Sequence, residues 1–161
     1  MQYKITIKSN APKYLFLDID GVLNSFHDYN MTGEEFLKNL NDLSFILSQD
    51  QIEILNKIVE KYNPKIILSS YWRTRYTTEQ INKIFKKNNF IGKIIDETDD
   101  NGKEHKDRWA QIKRSIKKHK IKNFIILDDD SLGDDAYNHI KTDPYVGLEK
   151  QHLSQIDRIW K

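Results

Sequence analysis

The 161-residue chain contains no cysteine at all. That absence removes disulfides, thiolate nucleophiles and cysteine-ligated zinc together, and it fits a reducing, cytoplasmic setting. No apolar run approaches the roughly 18 to 20 residues that a bilayer-spanning helix needs, so no membrane partner is expected. The opening "MQYKITIKSNAPK" has no long apolar stretch before small residues and does not read as a secretory signal. Only 6 glycines and 3 prolines are present, and nowhere do they or serine cluster into a linker. No internal repeat is visible. No Gly-rich segment precedes a Lys-Ser/Thr pair, which excludes a nucleotide-binding P-loop. A net charge of +2 is too small to imply nucleic acid by itself.

What remains is 38% hydrophobic and 31% charged, a globular composition on the polar side and long enough for one domain over 1–161 with a real core. "KYLFLDI" and "NFIIL" are nearly continuous apolar runs, the pattern of strands covered on both faces. "KIILSS" is another, "IGKII" (91–95) a shorter one, and the alternating Tyr3–Ile7 stretch suits an edge strand. Helical spacing appears at Ile52, Leu55, Val59 and Tyr62, stopped by Pro64. It recurs after the Thr77/Gln80 capping box at Ile81, Ile84 and Phe85, at Trp109, Ile112 and Ile116, and from Leu153 to Trp160. This alternation predicts a three-layer α/β domain with a mainly parallel sheet. Residues 24–50 are too long for an ordinary strand-to-helix connection, so a small cap or lid is expected there, with a helix around Glu34 to Leu40.

Three of the expected strands end in polar groups: Asp18/Asp20, Ser69/Ser70 and Asp128/Asp129. In an open parallel sheet the ligand crevice lies beyond the carboxyl ends of the strands, so side-by-side strands would bring these groups together. Four carboxylates and two hydroxyls in one crevice call for a hard cation, and an all-oxygen donor set suits Mg²⁺. A carboxylate also attacks phosphorus to form an aspartyl-phosphate, while a second one nearby protonates the leaving oxygen and later activates water. Arg73, Lys106 and Arg108 are the candidate cations for steadying a phosphate.

"DIDGVLN", the strand ending "IILSS", a basic residue in the 106–108 region and "IILDDD" resemble, in order, the four motifs of the haloacid dehalogenase (HAD) superfamily over residues 14 to 148. The resemblance implies Asp18 as nucleophile and Asp20 as general acid/base, with the Asp20 carbonyl also on Mg²⁺. It implies Ser69 as the phosphate-binding hydroxyl and Asp128 and Asp129 as metal ligands. For the third motif "EHKDRWAQI" offers both Lys106 and Arg108, with a slight preference for Arg108. "LSSYWR", "RWAQI" and the late "VGL" are similar to compact, nearly capless phosphatase domains attached to RNA-repair enzymes, with the phosphatase half of polynucleotide kinase/phosphatase a wider relative. The implied protein is a Mg²⁺-dependent phosphomonoesterase on a Rossmann-like HAD fold with a minimal cap. Its substrate is a phosphorylated small molecule or a nucleic-acid end.

Plainer readings stand beside these. Trp72, Trp109 and Trp160 default to core packing, and His27 to the surface. Asp130, Asp134 and Asp135 suit caps at the N-terminus of a following helix. The basic stretch "KRSIKKHKIK" reads as the solvated face of an amphipathic helix. Two other functions use the same residue types. A receiver-like signalling module would take a phosphoryl group near Asp96 to Asp100, and a non-catalytic nucleic-acid-binding domain would have lost a motif aspartate.

Overall fold

The computed structural model describes residues 10–25, 47–99 and 107–161. The expected Tyr3–Ile7 strand, the Glu34–Leu40 helix and cap, His27 and Lys106 lie outside the described residues.

The described residues form a five-stranded, all-parallel sheet in the order β3-β2-β1-β4-β5. The strands are β1 (Lys13–Leu17), β2 (Lys65–Leu68), β3 (Ile94–Glu97), β4 (Asn123–Asp128) and β5 (His139–Lys141). Four α-helices accompany them: α1 (Gln49–Tyr62), α2 (Thr78–Lys87), α3 (Arg108–Lys118) and α4 (Lys150–Ile159), with a 3₁₀ turn at Tyr71–Thr74. This is the three-layer α/β architecture that the sequence pattern predicts.

Side chains alternate along each strand, so the central strands feed two cores. Leu15, Leu17, Ile66, Leu68, Ile125 and Leu127 pack with Leu55 of α1, Phe85 of α2 and Ile156 of α4. The intervening Phe16, Ile67, Phe124 and Ile126 pack on the other face against Trp109 and Ile112 of α3. Among the described residues α3 is the one α-helix on that face, joined there by Leu132 and Tyr137 from the β4–β5 connection. Its Asp107 carboxylate caps it by accepting the Ala110 amide (2.9 Å), and Lys117 and Lys118 sit at the end where a helix favours cations. Helix α2 starts with the capping box expected from Thr77 and Gln80. Helix α1 ends at Asn63, whose left-handed backbone (φ 44°) returns an N–H to the Val59 carbonyl.

The boundaries differ from the sequence pattern in several places. β3 begins at Ile94 rather than Ile91, because Asn89 turns through φ 64° and Gly92 packs tightly on the Phe90 ring. Its last residues, Asp96 and Glu97, are tolerated in a strand that is an edge of the sheet among the described residues. β5, three residues with one buried apolar side chain, is too short to show a period. Between β4 and β5 no helix forms for Asp130, Asp134 and Asp135 to cap, since Gly133 (φ 98°) and Asn138 (φ 54°) break the backbone. Asp135 instead accepts the Trp109 indole N–H at 2.9 Å.

Helix α4 opens before the expected Leu153. The buried imidazole of His152 accepts the Glu149 amide at Nδ1 (2.9 Å) and so must be unprotonated there. Burial lowers its pKa from 6.5. A depressed pKa means stability present above the unfolded-state value and lost as pH falls through the folded one. Urea unfolding should therefore show stability declining below about pH 6.5, by ~1 kcal/mol for the broken cap. His152→Gln, which keeps an acceptor without titrating, should flatten that decline.

Candidate active site

The hydrogen-bond ladder continues past the ends of β1 and β2. The Asp18 amide donates to the Leu127 carbonyl (3.0 Å) and the Ser69 amide to the Leu17 carbonyl (2.8 Å). Leu17 is in register with both Leu68 and Leu127, so Asp18, Ser69 and Asp128 stand at one level of the sheet. All three also continue the alternate set of Phe16, Ile67 and Ile126, which faces α3. That places them beneath Arg108, the first residue of α3.

Arg108 Nη1 lies 2.7 Å from Asp18 Oδ2 and 2.7 Å from Asp128 Oδ2. The other oxygens are held by backbone amides: Asp18 Oδ1 by Ile19 (2.8 Å) and Asp128 Oδ1 by Asp130 (2.9 Å). Both carboxylates are buried. Burial first, and the neighbouring Asp128 second, push the Asp18 carboxyl well above its ordinary range against the opposing pull of Arg108. Burial likewise pushes Asp128 up to about 6 despite Arg108. Asp129 is raised by burial and then by Asp130. For Arg108, burial works against the charge, but Asp18 and Asp128 outweigh it and hold the guanidinium firmly protonated.

One oxygen each of Asp18, Asp128 and Asp129 falls within 4.8 Å of the others. Among the described residues three carboxyl groups face one guanidinium, an acidic excess that a divalent cation would neutralise. An all-oxygen donor set of this size fits Mg²⁺. Gly21 makes room for it: its backbone turns through φ 74°, and a Cβ there would stand 2.4 Å from Asp129 Oδ2. Thr142 Oγ1 fixes the same turn by donating to the Gly21 carbonyl (2.6 Å).

Asp20 projects from this turn, half-buried. Asn24 Nδ2 donates to its Oδ1 (3.0 Å), and Asn24 Oδ1 accepts the Gly21 amide (2.9 Å). Trp72 Nε1 lies 3.1 Å from both Asp20 oxygens. Neither Asn24 nor this use of Trp72 stands out in the sequence. The one available signal was that Trp72 follows the strand-end Ser69 by three residues, which the 3₁₀ turn at Tyr71–Thr74 here brings back to Asp20.

The remaining candidates divide. Ser69 is fully buried and its hydroxyl has no partner. Ser70 instead uses its hydroxyl to accept the Trp72 amide (3.3 Å), starting the 3₁₀ turn. Arg73 turns its guanidinium to the Ser70 carbonyl and to Gln111 Oε1 (both 2.7 Å), bracing that turn against α3.

A family model described as the HAD domain in Swiss Army Knife RNA repair proteins matches residues 14–153. The chain belongs to this family. The matched span runs from the second residue of β1 through β5 and ends in the first turn of α4. Domains of the superfamily are in general hydrolases. No curated protein and no solved structure matches the chain. Among the described residues no helix is long and apolar enough to cross a membrane.

Two glycine variants separate backbone strain from crowding at the site. Gly21→Ala should lower both the melting temperature and the affinity for Mg²⁺ measured by calorimetry, the latter at least about tenfold, because Asp129 must move. Gly133→Ala has a comparable positive φ but no atom nearer than 3.5 Å to the new Cβ. It should cost a similar ~1 kcal/mol of stability and leave Mg²⁺ affinity unchanged.

Proposed function

We propose that the chain is a Mg²⁺-dependent phosphomonoesterase that works through an aspartyl-phosphate on Asp18 and acts on phosphorylated nucleic-acid ends or nucleotides. The observation that carries this reading is the convergence of Asp18, Ser69 and Asp128 at one level of the sheet under Arg108.

In this reading an Asp18 oxygen forms a bond to phosphorus as the bond from phosphorus to the ester oxygen breaks. Asp20, two residues along the turn, gives its proton to that departing oxygen. Asp20 then takes a proton from water as the water oxygen attacks phosphorus, which frees phosphate and regenerates the Asp18 carboxylate. Phosphoryl transfer is chiefly positioning and charge neutralisation. Ser69 Oγ, which has no partner within the protein, is the donor for one phosphate oxygen, and Arg108 is the adjacent cation. Asp18, Asp128, Asp129 and the Asp20 carbonyl would hold Mg²⁺, which supplies neutralisation of phosphoryl charge. Arg73 enters as the brace of the Ser70 turn. The family's RNA-repair description supports a nucleic-acid end as substrate.

The receiver-like alternative is disfavoured by topology. Its acceptor would follow β3, which is the edge strand here, and Asp96 is engaged by His119 (2.8 Å). A non-catalytic domain is disfavoured because none of the motif aspartates is replaced.

The deciding assay is phosphate release with Mg²⁺ from p-nitrophenyl phosphate and a 3'-phosphorylated oligonucleotide. Asp18→Asn should abolish release while keeping the fold, and near-wild-type turnover in that variant would sink the mechanism. Ser69→Ala should slow turnover by roughly 10² to 10³, the loss typical of one donor to a developing anion.

A further inference from the structure

Trp72 belongs to the hydrophobic core on the face of α1, α2 and α4, with 7% of its surface exposed. A buried indole N–H needs an acceptor, and many core tryptophans find a backbone carbonyl. This one ends on the carboxyl group of Asp20, equidistant (3.1 Å) from both oxygens. Asn24 Nδ2 approaches Oδ1 of the same carboxyl group at 3.0 Å. Two donors from different segments thus fix the plane and direction of a half-buried carboxyl group. We propose that Trp72 is a positioning residue for Asp20, holding it where it delivers a proton to the leaving oxygen. This role rests on the phosphatase reading above.

The chemistry suits an indole. Its N–H donates only, so it neither takes the proton nor competes for it. Its bulk is locked by the core and by the Tyr76 ring, with centroids 6.1 Å apart. The Ser70 hydroxyl accepts the Trp72 amide, so the turn that leaves Ser69 under Arg108 also aims the indole at Asp20. One short turn after β2 therefore sets both the candidate phosphate donor and the proton donor. A misplacement of 1 Å at such a group is enough to cost about 10²-fold in rate.

The leaving group makes this testable. p-Nitrophenolate departs without a proton, whereas the sugar oxygen of a nucleoside 3'-monophosphate needs one. kcat/KM covers only the steps up to formation of the aspartyl-phosphate, so the later water step does not blur the comparison. Trp72→Phe keeps a ring and removes the N–H. It should lower kcat/KM for the nucleoside 3'-monophosphate by about 10 to 10²-fold and leave that for p-nitrophenyl phosphate within roughly threefold. In an Asp20→Asn background the same change should add no further loss. An equal loss on both substrates, no loss on either, or full additivity with Asp20→Asn overturns the role.

A second measurement holds even if the Phe variant fails to fold. The Trp72 indole N–H resonance, one of three in the ¹⁵N-labelled protein, should shift in Asp20→Ala. A resonance that ignores Asp20 overturns the contact. Wild-type protein that hydrolyses neither substrate, with the resonance still moving, defeats the phosphatase reading and the role with it, while leaving the contact intact.

Discussion

Among the described residues the site depends on a single guanidinium. Arg108 stands 2.7 Å from two buried carboxylates on neighbouring strands, and without it the carboxyl ends of β1 and β4 would meet as like charges away from water. Removing one partner from such a buried set leaves an uncompensated charge, which costs several kcal/mol. Even with Arg108 in place, burial holds Asp18 and Asp128 above their ordinary ranges. Among the described residues the cluster is thus short of positive charge, a deficit that a divalent cation would fill, and only with that cation present would the site favour a negatively charged phosphoryl group. Stability and chemistry oppose one another at this spot, as they commonly do where a fold carries a reaction.

The rest of the fold can be read as support for that arrangement. Helix α3 is the one described α-helix on its face of the sheet, packed by Trp109 and Ile112. Its first residue is delivered over the strand ends because Asp107 caps it there. One helical turn later Gln111 reaches Arg73, which in turn grips the Ser70 carbonyl. On the opposite face the larger core encloses Trp72 and brings its N–H to Asp20. The two carboxyl groups of the first motif are thereby served from opposite layers: Asp18 from the α3 side and Asp20 from the side of α1, α2 and α4. Separate supports give the two groups different surroundings even though they lie two residues apart, as the proposed nucleophile and proton donor would require.

Much of this was legible in the residues. Continuous apolar runs ending in Asp-x-Asp, Ser-Ser and Asp-Asp marked β1, β2 and β4, since strands covered on both faces need apolar side chains at every position and polar ones only where the sheet ends. Amphipathic spacing marked four helices, and the Thr77/Gln80 box located one start to the residue. Weak signals failed where length or context removed the pattern. β5 has a single buried apolar side chain, and β3 carries acidic residues, tolerated at its edge position.

What the sequence determined by itself was local: periodicity, caps, strand ends and the kinds of atom available for chemistry, because each depends on residues a few positions apart. Only the tertiary structure decided which of those atoms meet. Register put Asp18, Ser69 and Asp128 at one level, and the sheet order made their strands neighbours. The packing of α3 set Arg108 between the carboxylates and brought Gln111 to the Arg73 guanidinium. Asn24 is close to Asp20 in sequence, but Trp72 lies 52 residues away, and no spacing rule links them. Such meetings are set by how layers close over a sheet, a property of the whole chain's packing rather than of any stretch within it.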